Sequence, residues 1–300
     1  MNLTPASTVL VQGITQLAIY HIARMLAYGT NIVAGVSVGQ GGKQIQDIPV
    51  FDLVEQACDQ VGAIEATIIF VESYGVLDAA LEAIEAGIRQ LIIVSAGIPP
   101  LDTIRLLRKA EATNTLVVGP KSSGIIVPGK VLLGTQDSKF YTPGKIAMIS
   151  RTSTLTYEVA LALTQAGLGQ SISVNLGSDA IIGSSFRQWL PILASHEETE
   201  AIVLVDCTGG GSEEKTAQYI NQAIDKPVIV YVAGCNTPVD KQMGNASAII
   251  AAQLSGPVTS TTTAQHKVAA FKQAKVPVAG RPSQIPDLVK KALKKRSPTS

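Results

Sequence analysis

The chain has 300 residues, a length at which one hydrophobic core usually divides into two domains of roughly 150 residues each. Hydrophobic residues make up 46% of it and charged residues 16%, so it can bury a large core, and a disordered chain is excluded. The net charge of +1 provides no overall field that would attract nucleic acid or an anionic membrane.

The cysteines and the chain ends further restrict the class of protein that this sequence can be. Cys58, Cys207 and Cys235 stand far apart without a C-x-x-C spacing, which argues against a disulfide framework and a zinc site. The start of the chain lacks a basic segment followed by an apolar one, and no uncharged apolar run reaches the roughly 18–20 residues that cross a bilayer. The basic run K-K-A-L-K-K-R is interpreted as a solvated helix face. We therefore expect a cytoplasmic protein with no metal of its own and no membrane or nucleic-acid partner.

In the first half of the chain, short apolar runs alternate with amphipathic stretches. The runs T-V-L-V-Q-G, N-I-V-A-G-V, A-T-I-I-F-V, L-I-I-V-S and T-L-V-V-G predict strands. Between them, apolar residues at helical spacing predict helices over 16–28, from about Asp52, up to Gly87 and from about Leu101. Continuous apolar strands separated by such helices are typical of a parallel sheet covered on both faces.

The alternation pauses over residues 120–145, which hold three prolines and several glycines without helical periodicity. We place a domain boundary there, giving domains 1–141 and 142–300. Strands and helices then alternate again from K-I-A-M-I-S to P-V-I-V-Y-V, which predicts a second parallel sheet. The last of these strands leads into the Gly-punctuated loop Q-M-G-N-A-S-A, and α/β proteins usually place their chemistry in such a loop.

Several colinear segments resemble the α subunit of succinyl-CoA synthetase, the ADP- or GTP-forming succinate–CoA ligase. They include A-Y-G-T-N-I-V-A-G-V, L-E-A-I-E-A-G-I, V-V-G-P-K-S-S-G, I-S-R-T-S-T-L-T-Y-E, G-S-D-A-I-I-G-S-S-F, K-P-V-I-V-Y-V-A-G and Q-M-G-N-A-S-A-I-I, and they cover nearly the whole chain. The resemblance implies a CoA-binding Rossmann-like domain followed by a flavodoxin-like parallel α/β ligase domain. It also implies an ATP-grasp β subunit as partner, in an αβ or (αβ)₂ complex.

The mechanism that the resemblance implies passes a phosphoryl group through a histidine in the last of these loops, where this chain has Asn245. An imidazole nitrogen keeps a nucleophilic lone pair near neutral pH, whereas an amide nitrogen does not, so Asn245 is excluded as a covalent carrier. The glutamate that would orient the histidine is replaced by Cys207, and alternation along the strand points the neighbouring Asp206 elsewhere. Cys207 is interpreted as a small buried residue in preference to a nucleophilic thiol. His21 is assigned a structural role.

The phosphate-binding helix start of the family is partly retained in R-T-S-T-L-T-Y-E. Thr152, Ser153 and Thr154 are expected either to hold phosphate at a helix N-terminus or simply to cap the helix. Ser153 stands in place of a glycine, and a positive φ there would cost on the order of 1–3 kcal/mol. Tyr157 matches a residue that the resemblance places near the carboxylate substrate.

The CoA-binding half keeps only some of the residues that the resemblance assigns to the cofactor. The candidate cofactor residues are Gly13, Thr15, Gln40, Lys43, Ser95, Ala96 and Lys121. Gln40 stands in place of a phosphate-facing lysine, for which Lys43 is a candidate substitute, and Ala96 stands in place of a glutamate. Lys121 is an added positive charge.

Other changes in this half disfavour an anionic ligand. Glu72 is an added acid, and Leu17 and Ile19 place apolar bulk where phosphate oxygens would lie, so core packing is the preferred interpretation of those two. CoA binding is therefore expected to be weakened, and a nucleotide is expected only through the β-like partner.

Packing segments persist in this chain while residues at four separate ligand loops have changed. The leading hypothesis is an α-subunit-like protein that cannot run the phosphohistidine relay and acts as a structural or regulatory partner of an ATP-grasp β-like subunit. A second hypothesis is an active carboxylate–CoA ligase subunit that works without a phosphoenzyme. A third is a stand-alone sensor of an anionic metabolite that uses Lys121.

Overall fold

The computed structural model describes residues 3–179, 181–208, 213–235 and 264–296. The chain divides into two compact units: unit 1 comprises residues 1–136 and 176–184, and unit 2 comprises residues 137–175 and 185–300. This division falls before the predicted boundary at Thr142, and it assigns one short segment of the second half to unit 1. The boundary between functional domains at 141/142 stays a prediction.

Unit 1 alternates strands and helices as the sequence predicts. Its elements are β1 (Val9–Gln12), α1 (Gln16–Ala27), β2 (Ile32–Val36), β3 (Gln44–Ile45), β4 (Ile48–Phe51), α2 (Val54–Val61), β5 (Ala66–Ile69), α3 (Val76–Glu85), β6 (Gln90–Ile93), α4 (Pro100–Ala112), β7 (Leu116–Val118), β8 (Gly124–Val127) and β9 (Val131–Gly134). The strands β8 and β9 form an antiparallel hairpin.

The sheet of unit 1 has the order β3-β4-β2-β1-β5-β6-β7, and all neighbours are parallel except the short edge strand β3. Starting from β1, the chain adds β2 and β4 on one side of the sheet. It then crosses over and adds β5, β6 and β7 on the other side, so the direction of building, in which successive strands are added, reverses. This is the strand order of a Rossmann-like fold, and the direction reverses between β1 and β5.

Burial explains why these segments form this sheet. All residues of β1 and β5 are buried, as expected for parallel strands that helices cover on both faces. Helix α1 buries Ala18, His21, Ile22 and Met25, which are spaced so that they share one face of the helix. The predicted alternation of strands and helices is therefore confirmed.

Unit 2 repeats the architecture with a different strand order. Its elements are β10 (Pro143–Ser150), α5 (Thr154–Gln165), β11 (Gln170–Asn175), α6 (Phe186–Ser195), β12 (Ala201–Asp206), α7 (Glu213–Ala223), β13 (Val228–Val232), α8 (Ala264–Gln273), β14 (Val278–Ala279) and α9 (Ile285–Arg296). Its strands lie in the order β11-β10-β12-β13-β14 and all are parallel. This is the flavodoxin-like order, in which the direction of building reverses between β10 and β12.

The register of unit 2 sets the ends of its central strands at one level. Ser150 of β10 lies beside Val205 of β12, and Asp206 of β12 lies beside Val232 of β13. The residues that follow β10 and β12 therefore emerge next to each other at the carboxyl edge, the edge of a sheet at which its parallel strands end. Across the described ranges, no helix is long and apolar enough to span a membrane.

A leucine-to-alanine substitution in the core of unit 1 can be compared with the same substitution at its surface. Leu91 on β6 is fully buried, whereas Leu101 on α4 is 69% exposed. We expect Leu91→Ala to lower the free energy of unfolding by about 2–5 kcal/mol, because it leaves a cavity, and Leu101→Ala to change it by no more than about 0.5 kcal/mol. Urea denaturation followed by far-UV circular dichroism measures both, and equal effects would contradict the assigned packing.

Candidate functional site

In unit 1 the site begins at the turn after β1, where the direction of building reverses. Gly13 has φ +83°, and a Cβ atom on it would lie 2.7 Å from the backbone nitrogen of Val71, which follows β5. Any larger residue would force the two loops apart, so glycine is required here by packing alone. Two sheet halves separate at this point, which is where doubly wound sheets bind ligands.

Thr15 caps helix α1, since its side-chain oxygen accepts a hydrogen bond of 3.2 Å from the N–H of Ala18. The cap occupies one of the backbone N–H groups that would otherwise be able to donate a hydrogen bond to a phosphate at this helix start. Leu17 is 56% exposed, so its interpretation as a core residue is wrong. Leu17 lies beside the buried face of α1 that begins at Ala18, whereas Ile19 is half-buried.

The loop after β2 is closed by a carboxylate. One Asp52 oxygen accepts the backbone N–H of Gly39 at 2.7 Å and that of Gly41 at 3.0 Å. The side-chain amide of Gln40 donates to the Ser37 hydroxyl at 3.0 Å. The backbone N–H of Lys43 donates to the carbonyl of Gln40 at 3.2 Å, and its side chain is exposed. Two amides of the loop that is expected to face phosphate are thus already bound to an anion of the chain itself.

The loops after β6 and β7, which carry the predicted residues Ser95, Ala96 and Lys121, lie against each other. The backbone N–H of Lys121 donates to the carbonyl of Ser95 at 2.8 Å. The Ser73 hydroxyl donates to the carbonyl of Ala96 at 2.7 Å, which ties the loop after β5 to the same group. Lys121 has φ +55° and an exposed side chain.

Acidic residues share this edge of unit 1. The buried carboxylate of Asp179 accepts the N–H of Gly97 at 3.2 Å, and Glu72 is exposed on the loop after β5. The sequence pattern assigned no role to Asp179, because the contact joins residues 82 positions apart. The predicted cofactor residues of unit 1 therefore lie along one edge, together with carboxylates that oppose an anionic ligand.

His21 lies under this edge and has a structural position. It is 8% exposed, its ring stacks on Phe70 with centroids 6.0 Å apart, and the Tyr20 ring approaches it edge-on at 5.0 Å. Burial lowers the pKa of the His21 imidazole from its ordinary value of 6.5, and the charge of Arg24 lowers the pKa further. The imidazole is thus held in its neutral form, which is the state that an apolar site favours.

In unit 2 the turn between β10 and α5 is fixed by a network of hydroxyl and amide groups. The Thr156 hydroxyl donates to that of Ser150 at 2.6 Å, and the side-chain oxygen of Ser150 accepts the backbone N–H of Thr152 at 3.0 Å. The side-chain amide of Asn175 donates to the Thr152 carbonyl at 2.6 Å. Ser150, Thr156 and Asn175 are buried, so this network fixes the shape of the turn.

Ser153 occupies the N-cap position of α5, but its side chain makes no capping hydrogen bond. Its φ of −86° and ψ of −63° lie in the ordinary right-handed region, so the conformational strain considered for a serine at this position does not arise. Thr154 begins the helix. The start of α5 consequently lacks a cap from Ser153, the residue placed to provide one.

Tyr157, one turn into α5, belongs to an aromatic cluster. Its ring centroid lies 5.0 Å from that of Phe140 and 6.4 Å from that of Tyr141, the latter in an edge-on arrangement. Tyr141 is buried, and burial raises the pKa of its phenol. The cluster holds the Tyr157 ring beside the start of α5, and its assignment to the same site as residues 152–154 stays a prediction.

The end of β12 carries a buried ion pair that the sequence did not indicate. The Lys267 ammonium on α8 donates to the Asp206 carboxylate at 2.8 Å and to the carbonyl of Cys207 at 2.8 Å. Both charged side chains have no exposed surface. The Cys207 sulfur lies 4.0 Å from the carbonyl oxygen of Arg151, the residue that follows β10. Cys207 is half-buried, and Asn245 lies outside the described residues.

Comparison with known proteins agrees with this arrangement. Family models described as a CoA binding domain and as CoA-ligase match residues 4–97 and 149–276, which defines a protein of the CoA-binding and CoA-ligase class. The α 2 subunit of the ADP-forming succinate–CoA ligase of Archaeoglobus fulgidus is 40% identical, over 95% of this chain and 96% of its own. The malate–CoA ligase α subunit of Methylorubrum extorquens is 41% identical, over 81% of this chain and 84% of its own.

The chain therefore belongs to the succinate–CoA ligase α-subunit family, and the resemblance found in the sequence is confirmed. Among solved structures, ATP citrate lyase from Methanothrix soehngenii, in complex with citrate and coenzyme A, superposes with a TM-score of 0.86 at 20% identity. That match covers 98% of this chain and 51% of the other, so this chain corresponds to about half of that protein, and the similarity supports the fold.

The neutral state of His21 gives unit 1 a dependence on pH. Because the pKa of His21 is lower in the folded than in the unfolded chain, the unfolded chain binds more protons as the pH falls below 6.5, and stability is lost in that range. We expect the decrease in the urea midpoint between about pH 7.5 and about pH 5.5 to be smaller in His21→Gln than in the unmodified chain.

Arg24→Gln serves as the matched control, since it removes only the smaller of the two causes that lower the pKa of His21. Most of the pH dependence should remain in this variant. An identical pH dependence in the unmodified chain and in His21→Gln would contradict the assignment.

Proposed function

We propose that this chain is an α-subunit-like partner of an ATP-grasp β-like subunit in a cytoplasmic acid–CoA ligase assembly, of αβ or (αβ)₂ form, and that it does not carry a phosphohistidine. The observation that carries the proposal is Asn245, where the resemblance implies a reactive histidine, in a chain that aligns with a ligase α subunit over 95% of its length. The subunit names of these relatives support the existence of a β-type partner.

The chemistry of the replaced residues supports the loss of the relay. The lone pair of an amide nitrogen is delocalised into its carbonyl, so Asn245 cannot accept a phosphoryl group. Cys207 stands at the position of the orienting glutamate, and a thiol is a weak hydrogen-bond partner with no fixed negative charge. The carboxylate next to it, Asp206, is fully buried and bound to Lys267. The unit 2 residues that the structure describes thus offer no carboxylate at the position of the lost glutamate.

The geometry of unit 1 supports weakened binding of CoA. The amides of Gly39 and Gly41 are held by Asp52, and Gln40 contributes no positive charge to this loop. The exposed carboxylate of Glu72 lies on the loop after β5, beside the point where the sheet reverses. Each of these features disfavours the phosphates of CoA, while the strand order and the turn at Gly13 keep the cleft itself.

One feature of unit 2 favours a second candidate function, an active carboxylate–CoA ligase subunit that works without a phosphoenzyme. Helix α5 begins without a side-chain cap from Ser153, and Tyr157 lies one turn further on. An uncapped helix start has backbone N–H groups and a positive dipole end that suit phosphate or carboxylate. An acyl phosphate formed on the β-like partner would fit this position.

Phosphate transfer from ATP tests the loss of the phosphohistidine relay, which both candidate functions share. With an ATP-grasp partner and radiolabelled ATP, we expect no acid-labile phosphate on the unmodified chain. Asn245→His combined with Cys207→Glu restores a nucleophilic imidazole and its orienting carboxylate, so this double variant should become labelled. Asn245→Gln, which keeps an amide, is the matched control and should stay unlabelled. Label on the unmodified chain would defeat the proposed function.

Titration calorimetry with CoA measures how the charge at the carboxyl edge of unit 1 affects CoA affinity. We expect Gln40→Lys and Glu72→Gln each to strengthen CoA binding by about 1.4- to 5-fold, the range that an exposed charge pair provides. Gln60→Lys and Glu65→Gln make the same charge changes near the opposite edge of the sheet and should have less effect. Micromolar binding by the unmodified chain would contradict weakened binding and favour the second candidate.

A further inference from the structure

We propose that Lys267 is a positioning residue that fixes the Cys207 peptide, directly after β12, and, through that peptide, the start of α5. The inference rests on the proposed function only in treating this edge of unit 2 as the ligase-type site. Its evidence is the three-part contact between the Lys267 ammonium, the Asp206 carboxylate and the Cys207 carbonyl, in which both charged side chains are fully buried.

Burial of this pair is costly, because each charge gives up its hydration. Two apolar side chains of similar volume generally provide as much stability as such a pair, or more. Stability alone therefore does not account for it. What the ammonium adds is charge-assisted hydrogen bonds to more than one acceptor at once. At this position one of the acceptors is the backbone carbonyl of Cys207.

A continuous set of contacts leads from Lys267 to the helix start. The Lys267 ammonium holds the Cys207 carbonyl, and the Cys207 sulfur lies 4.0 Å from the carbonyl of Arg151. The backbone N–H of Arg151 donates to the carbonyl of Val205 on β12 at 2.9 Å. Arg151 is followed directly by Thr152, whose carbonyl is held by Asn175. Cys207, directly after β12, is thereby joined to the turn after β10 at the point where the strand order reverses.

The register of the sheet makes this arrangement possible. Because Ser150 lies beside Val205, the residues that follow β10 and β12 emerge at the same level. Helix α8 brings the Lys267 ammonium to this level, at the end of β12. The role assigned to Lys267 is to hold the Cys207 peptide in one orientation, so that the thiol of Cys207 stays packed against Arg151.

Reactivity of the Cys207 thiol reports this role directly. Iodoacetamide labelling followed by mass spectrometry gives the alkylation rate of Cys207, with Cys58 of unit 1 as the internal reference. We expect Lys267→Met to raise the Cys207 rate by on the order of tenfold relative to Cys58, because the charge-assisted hydrogen bond to the Cys207 carbonyl is lost. It should also lower the thermal midpoint, because Asp206 is left buried without its charged partner.

Two further variants separate positioning from packing. In Lys267→Met combined with Asp206→Leu, no unpaired charge remains, so the thermal midpoint should return towards that of the unmodified chain while the Cys207 rate stays raised. In Asp206→Asn the Lys267 contact with Cys207 is kept, so the Cys207 rate should stay within about twofold of the unmodified rate while the midpoint falls.

The double variant decides the matter. A Cys207 rate that returns to the unmodified value together with the thermal midpoint would show that the pair only fills space, and it would overturn the proposal. None of these measurements depends on CoA binding or on phosphate transfer, so failure of the proposed function and failure of this inference are distinguishable.

Discussion

The constraint on which both units depend is the burial of parallel strands on two faces. Such strands favour apolar side chains along most of their length, and every residue of β1, β5 and β12 is buried. In β1 and β12 the polar residues, Gln12 and Asp206, are the last residues of the strand, where backbone N–H groups and loop side chains are also available. The one fully buried ion pair, among the residues that the structure describes, obeys the same rule, because Asp206 is the last residue of its strand.

This constraint explains which features could be predicted from the sequence. Runs such as A-I-V-L-V-D have no polar interruption until their last residue, so their identity as buried strands was clear. Gly13 was chosen as a candidate cofactor residue, whereas the close approach of Val71 that requires a glycine there depends on the fold. Leu17 was misjudged, because its burial depends on where one helix face ends, and a difference of one residue along a helix moves a side chain by about 100°.

The features that escaped prediction are contacts between distant residues. Lys267 lies 61 residues from Asp206, and no local pattern around it distinguishes it from the other lysines of the C-terminal region. Asp179 and Asp52 likewise act on backbone groups of other loops. A sequence shows that such residues are charged, but only the fold determines which amide or ammonium each one meets.

The contact made by Asp52 affects which substitutions the loop after β2 can accept. A loop that depends on a cofactor for its shape loses that shape when the cofactor contact is lost, and the loss is selected against. The loop after β2 instead contains its own anion, bound at 2.7 Å and 3.0 Å to Gly39 and Gly41. The Asp52 carboxylate thus holds two backbone amides of this loop from within the chain. A phosphate must compete with a carboxylate that is always present. Its affinity for this loop therefore depends on how much more strongly the loop amides bind phosphate than they bind Asp52.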